Sequence, residues 1–210
     1  MTKVLLINGS PKAHGCTFTA LSEMIKIFES EGIDTELIQV GNKDIRGCIA
    51  CNHCQLHGKC VFDDIVNEVA EKFAEADGMV LGSPVYYAGP NGTLKSFMDR
   101  LMFSSNSHNN MKVGASIVNA RRNGSSSALN DLDKYFAANG MPIAPSTYWN
   151  ITHGFTADDI KKDKEGLQTI RNLARNMSFM MKAIVDAKAN YGLPKLETIE
   201  YTSFTDGKEE

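Results

Sequence analysis

The sequence predicts an α/β fold in which a five-stranded parallel sheet, in the order 2-1-3-4-5, is covered by helices on both faces. Short apolar runs of β-compatible residues alternate with segments whose apolar residues recur at helical spacing. Each apolar run also breaks into a loop rich in Gly, Pro, Ser or Asn, as strands feeding crossover helices do. Apolar content is spread evenly over 210 residues, so one domain is expected over 1–189, with a Cys-rich insertion at 41–62 and an extended, partly disordered tail at 190–210.

The first strand is Val4-Leu5-Leu6-Ile7, a run suited to a strand buried on both faces. It stops in Asn8-Gly9-Ser10-Pro11-Lys12-Ala13-His14-Gly15-Cys16, and a helix opens at Thr17 with Leu21, Met24, Ile25 and Phe28 on one face. Glu31-Gly32 ends that helix before an alternating second strand, Thr35–Val40. After the insertion, Asp63-Asp64 caps a helix carrying Ile65, Val66, Val69 and Phe73. The third strand is Gly78–Gly82, followed by the loop Ser83–Gly92 and a helix with Leu94, Phe97, Met98 and Leu101. Asp99 and Arg100 read as a pair at the surface end of that helix. The fourth strand is Val113–Val118, followed by Asn119–Gly124 and a helix with Leu129, Leu132 and Phe136; the fifth is Ile143–Trp149. From Ala157 to about Lys188 the periodicity predicts one continuous helix.

A net charge of −3 with mixed signs argues against nucleic acid or an anionic membrane as the main partner. No apolar run is long enough for a bilayer, and Met1-Thr2-Lys3 leads straight into the first strand without a signal pattern, so a reducing cytoplasm is expected. The cysteines are then thiols or ligands rather than structural disulfides.

In a sheet of this order, ligands bind beyond the carboxyl ends of strands one and three. The loops there are Ser10–Thr17 and Pro84–Gly92. The first ends at a helix N-terminus, where unpaired N–H groups and partial positive charge suit an anion. Neither G-x-G-x-x-G nor a Walker sequence occurs, so the hydroxyls of Ser10 and Thr17 and the Lys12 ammonium assist the backbone. The second loop, Pro84-Val85-Tyr86-Tyr87 with Gly89-Pro90-Asn91-Gly92, offers rigid backbone groups for the edge of a flat heterocycle. Its two tyrosines either stack on that heterocycle or seal the loop.

Asn8-Gly9-Ser10-Pro11-Lys12 with Gly15 and Thr17, and Gly82-Ser83-Pro84-Val85-Tyr86-Tyr87 continuing through Leu94-Lys95 to Asp99-Arg100, together resemble the NAD(P)H-dependent FMN reductase family. The resemblance implies a flavodoxin-like three-layer α/β/α sandwich. It implies FMN with its phosphate in the cradle of Ser10, Pro11, Lys12, Cys16 and Thr17, and its isoalloxazine against Pro84, Val85, Tyr86 and Tyr87. The loop from Asn119 through Arg121 to Gly124 would then close over the ring, Arg121 near the pyrimidine edge or simply solvated. NAD(P)H is the implied donor, a quinone, nitro or azo compound or free flavin the acceptor, and a homodimer or homotetramer the assembly. The flavin carries the chemistry, which accords with the lack of a Ser-His-Asp, Cys-His or paired-carboxylate constellation.

Four of five cysteines, Cys48, Cys51, Cys54 and Cys60, form a C-x2-C-x2-C-x5-C array. Intervals of three match the compact run that holds a [4Fe–4S] cluster, whereas structural zinc favours two separated pairs. The array closely resembles that of the iron–sulfur flavoproteins of the same family, with Ala50 where the family commonly has glycine. Two alternatives remain: an electron relay between flavin and a redox protein such as ferredoxin, and a flavin-binding redox sensor with reversible thiols. Thiols that merely pack a loop complete the range.

Overall fold

The first strand, β1 (Lys3–Asn8), is buried along all of its length beyond Lys3 and lies at the centre of the fold. In the computed structural model, which describes residues 2–105, 109–198, 200 and 202, β1 runs parallel to β2 (Asp34–Gln39) on one side and β3 (Gly78–Tyr86) on the other. Beyond β3 lie β5 (Val113–Ala120) and then β6 (Ile151–His153), both parallel. The order β2-β1-β3-β5-β6 is the expected one; a two-residue strand, β4 (Gly89–Pro90), folds back on the end of β3 and lies off this path.

The helices are α1 (Cys16–Ser30), α2 (His53–His57), α3 (Ile65–Glu75), α4 (Gly92–Ser104), α5 (Ser125–Ala138), α6 (Ala157–Lys162) and α7 (Lys164–Tyr191). Strand alternation sorts β1 between two cores. Val4 and Leu6 pack with Leu21, Met24 and Phe28 of α1 and Met177 and Met181 of α7. Leu5 and Ile7 pack with Phe73 of α3, Phe97 of α4 and Phe136 of α5. Among the described residues, no helix is long and apolar enough to cross a membrane.

Four expectations need correction. The fifth strand is not Ile143–Trp149: Gly114 donates to the Pro142 carbonyl and accepts from Ala144, which makes a single bridge at Ile143, and pairing with β5 resumes only at Ile151. β3 does not stop at Gly82. It runs to Tyr86, because the ladder to β5 continues through Ser83 and Pro84 after that to β1 has ended, and a proline is tolerated at such an edge. The helix from Ala157 is broken at Asp163, whose backbone leaves the helical region (ψ 79°) and whose carboxylate caps α7 by accepting from Gly166 N at 3.0 Å. Finally, α7 reaches Tyr191, where Gly192 (φ 75°) ends it. The described residues after Gly192 form neither helix nor strand, and 199, 201 and 203–210 of the expected tail lie outside the described part.

One half-buried acid, with one carboxylate oxygen fully buried, lies inside this framework. Burial pushes the carboxyl of Asp133 on α5 up, and the Ser116 hydroxyl on β5 only partly offsets it, since neither Asp133 Oδ1 nor Ser116 Oγ completes a hydrogen bond. A raised folded-state value means that ionised Asp133 costs stability above pH 3.8, increasingly until the folded carboxyl has itself ionised. Asp133→Asn is therefore expected to raise the urea midpoint at pH 7. The gain should vanish at a pH below that value, where the carboxyl is protonated in both states.

Candidate functional site

The end of β1 is held by side chains that leave its loop little freedom. Asn8 is buried; its Nδ2 donates to Gln39 Oε1 at 2.6 Å and its Oδ1 accepts from Ser10 N at 3.1 Å. Gln39 Nε2 returns to the Ser10 carbonyl at 2.6 Å, and Ser10 Oγ accepts from Lys12 N at 3.2 Å. The loop then enters α1 through Gly15, which supplies no side-chain cap, and no acid lies in the first turn. The first N–H groups of α1 thus face outward uncapped, with Thr17 buried beside them. Cys16 opens the helix; burial pushes its thiol up, and its Sγ faces the Gly154 carbonyl at 3.9 Å.

The second loop is locked to the first. Gly9 N donates to the Gly82 carbonyl at 2.8 Å, and Asn91 Nδ2 donates to the Gly9 carbonyl at 2.7 Å and the Gly41 carbonyl at 3.4 Å. Asn91 also caps α4 by accepting from Thr93 N. Between Tyr86 and Gly89 the chain turns through Tyr87 (φ 49°) and Ala88 (φ 61°), both left-handed, as a two-residue hairpin demands. Non-glycine residues hold this conformation at some cost, the kind of local strain found at functional sites. Tyr86 is half exposed and Tyr87 fully so, hence neither tyrosine seals the core.

The third loop closes on the hairpin: Gly124 (φ 86°) approaches so tightly that a Cβ there would lie 2.7 Å from Ala88 Cα. Arg121 and Arg122 are exposed. Asn119 is buried in β5, where its Nδ2 donates to the carbonyl and hydroxyl of Thr152 and ties β5 to β6. The three loops singled out from sequence therefore meet at one edge of the sheet. Sequence reasoning missed Asn91 as the tie among them, and also Gln39 and Asn8; the signal was two amides at the carboxyl ends of neighbouring strands, too weak without the register.

The cysteine loop leaves from the same edge at Gly41. Its four thiols line one small pocket together with Phe62, Arg100 and Phe103. Ala50 (φ 52°) and Asn52 (φ 55°) are left-handed, which explains why glycine suits position 50. Ala50 N donates to Cys48 Sγ at 3.5 Å, and Cys54 Sγ lies 3.8 Å from the Phe103 carbonyl. Burial, with Cys60 and Cys48 nearby, pushes the Cys54 thiol up. Cys60 is the most firmly placed: its N–H donates to Asn67 Oδ1 at 2.9 Å and its carbonyl accepts from Asn67 Nδ2 at 3.0 Å. Among the described residues, no group of three or more His, Cys, Asp or Glu side chains is arranged to hold a metal ion.

Arg100 contradicts its expected surface pairing. It is 1% exposed and forms a bidentate pair with Asp64, at 2.7 and 2.8 Å, while its Nε donates to Cys60 Sγ at 3.2 Å. Its helix neighbour Asp99 is exposed and accepts from the Tyr135 hydroxyl. A charged residue beside an apolar stripe gave no sign of which way it turned.

The family model for NADPH-dependent FMN reductases matches residues 2–156. The chain belongs to this family. An iron–sulfur flavoprotein of Methanocaldococcus jannaschii is 36% identical to it over 192 residues, spanning 87% of this chain and 98% of its own. Another, from Archaeoglobus fulgidus, is 29% identical over 187 residues, spanning 84% and 95%. Among solved structures, RosB with a bound 8-demethyl-8-formylriboflavin-5'-phosphate superposes over all of this chain and 95% of its own, with a TM-score of 0.71 at 15% identity. At that identity the likeness shows the fold alone. As a member of the FMN reductase family, this protein is an FMN-dependent oxidoreductase.

An uncapped helix N-terminus at a switch point, with a rigid Tyr-bearing hairpin beside it, fits a mononucleotide flavin. Asn91 is the tie on which that FMN reductase geometry rests. Asn91→Ala removes a helix cap and leaves the Gly9 carbonyl without its amide donor, so a loss of about 2 kcal/mol is expected in urea unfolding. Asn91→Asp keeps the cap acceptor and should recover part of it.

Proposed function

We propose that this protein relays electrons between FMN and a [4Fe–4S] cluster held by Cys48, Cys51, Cys54 and Cys60. The observation that carries the reading is that all four thiols line one pocket beside α4, the helix whose cap, Asn91, is anchored in the flavin loops. The donor set suits a thiolate-bound cluster, since Cys48 and Cys60 already receive N–H groups. The relatives from M. jannaschii and A. fulgidus, both iron–sulfur flavoproteins by name, support it. When bound, the flavin supplies two-electron chemistry and the cluster one-electron chemistry.

The chain's own part is to bind and orient. Ser10, Pro11, Lys12, Cys16 and Thr17 receive the FMN phosphate at the α1 N-terminus, and Pro84, Val85, Tyr86 and Tyr87 support the isoalloxazine. Arg121, on the loop between Asn119 and Gly124, brings positive charge to the ring's edge, which favours the reduced anion. Exposed Tyr148, Trp149 and Phe155 supply an apolar surface for a second copy, in keeping with a homodimer or homotetramer.

A second reading is favoured by the family match itself: NAD(P)H reduces the flavin, which then reduces a small molecule such as a quinone or nitro compound. Protein isolated anaerobically separates the two. The relay predicts iron and sulfide at cluster stoichiometry, lost without loss of FMN in Cys51→Ser. The reductase predicts rapid bleaching of the flavin band by NADPH, unchanged by that substitution. If neither iron nor sulfide is found, the relay falls. Lys12→Ala removes a cation from the cradle and should weaken FMN binding about tenfold, near 1.4 kcal/mol, in a flavin-fluorescence titration. An unchanged Kd would remove Lys12 from the phosphate site.

A further inference from the structure

Arg100 is a buried cation that the flavin loops do not use. It lies next to the stripe of Leu94, Phe97, Met98 and Leu101 by which α4 joins the core. A buried ion pair is a weak source of stability, because desolvation offsets much of its attraction, and apolar replacements of both partners are often neutral. The arrangement instead has a direction. Asp64 takes both Nη groups, which leaves Nε–H to reach Cys60 Sγ at 3.2 Å. The Phe62 ring covers the guanidinium, 4.9 Å from it, with Arg46 4.8 Å from the same ring. The pair is neutral as a whole, and its positive end rests on one sulfur. Asn67 clamps the backbone of that same cysteine on both sides, so the sulfur is presented in a fixed position.

We infer that Arg100 sets the reduction potential of the cysteine site by donating Nε–H to the Cys60 sulfur. This rests on the cluster reading above. Reduction adds one electron whose charge spreads over cluster and ligand sulfurs, with no bond made or broken in the protein. A directed N–H and a guanidinium at one ligand favour the reduced form and raise the potential. Lysine cannot reproduce the arrangement, since a point ammonium lacks the planar fork that grips Asp64 while aiming a third donor elsewhere. Arg100 is thus a positioning residue, acting through Cys60.

The test compares the full-length protein with Arg100→Met/Asp64→Asn, Arg100→Lys and Arg46→Met. Iron, sulfide and FMN contents are measured, and the cluster is titrated with dithionite and mediator dyes under EPR. The double substitution removes both charges and so leaves no unpaired ion behind. It is expected to keep FMN and to lower the reduced-to-oxidised ratio at fixed potential at least tenfold, about 59 mV for a one-electron couple. Arg100→Lys should move the potential less in the same direction, and Arg46→Met not at all. An unchanged potential in the double variant at wild-type iron and sulfide overturns the inference and leaves the cluster reading standing. Wild-type protein without iron and sulfide overturns both. If the double variant keeps FMN but loses iron, Arg100→Lys decides: a lowered potential upholds the inference and an unchanged one sinks it. Loss of iron from both, with Arg46→Met still loaded, assigns Arg100 a purely structural role and also overturns it.

Discussion

The structure depends on one close backbone approach at the carboxyl end of β1. Gly9 sits so near its neighbours that a Cβ would lie 2.8 Å from the Gly82 carbonyl, and at Gly41 a Cβ would lie 2.2 Å from the Gly9 oxygen. Three chain segments therefore cross within contact distance, which only residues without side chains permit. Backbone polar groups brought together this way need partners. Gly9 N–H finds the Gly82 carbonyl, and the Gly9 and Gly41 carbonyls are both served by Asn91. The loop proposed to cradle the phosphate, the tyrosine hairpin and the cysteine loop all leave from this crossing, so their relative placement is inherited from it.

How much of this was legible follows from the kind of signal each part leaves. Val4–Ile7 and the helical spacing of Leu21, Met24 and Phe28 record burial on two faces, and burial writes itself in period. The loops were legible because proline and glycine punctuate them and because sheet order alone says which loops meet. The strand near Ile143 was misplaced because apolar content cannot show that only one bridge, Gly114 to Ile143, forms there before pairing resumes at Ile151. Pro84 misled in the opposite direction: read as a breaker, it lies within β3 where the ladder to β1 has already ended.

The polar ties escaped for a different reason. Asn8, Gln39 and Asn91 act through long-range partners, and a single amide has no periodicity to betray it. Asp64 is instructive, since its cap on α3 was evident from position while its second task, holding Arg100, depends on α4 packing beside α3. A residue with one local and one distant partner shows only the local one in sequence.

Helix α4 ties these observations together. Its first turn is capped by Asn91 at the crossing of the flavin loops, and Arg100, nine residues on and about 14 Å along the axis, touches Cys60. The same helix offers the Phe103 carbonyl to Cys54 one turn later. Its apolar stripe is fixed in the core, so neither end can move without the other. A loop of four cysteines with three left-handed residues and only a five-residue helix has little internal structure to fix its sulfurs. Rigidity must come from outside the loop, and here it comes from the helix that also frames the flavin edge. In the proposed relay, coupling the flavin to the cysteine site would require a constant separation, and one continuous hydrogen-bonded helix between the two loops is the simplest way for a chain to hold it.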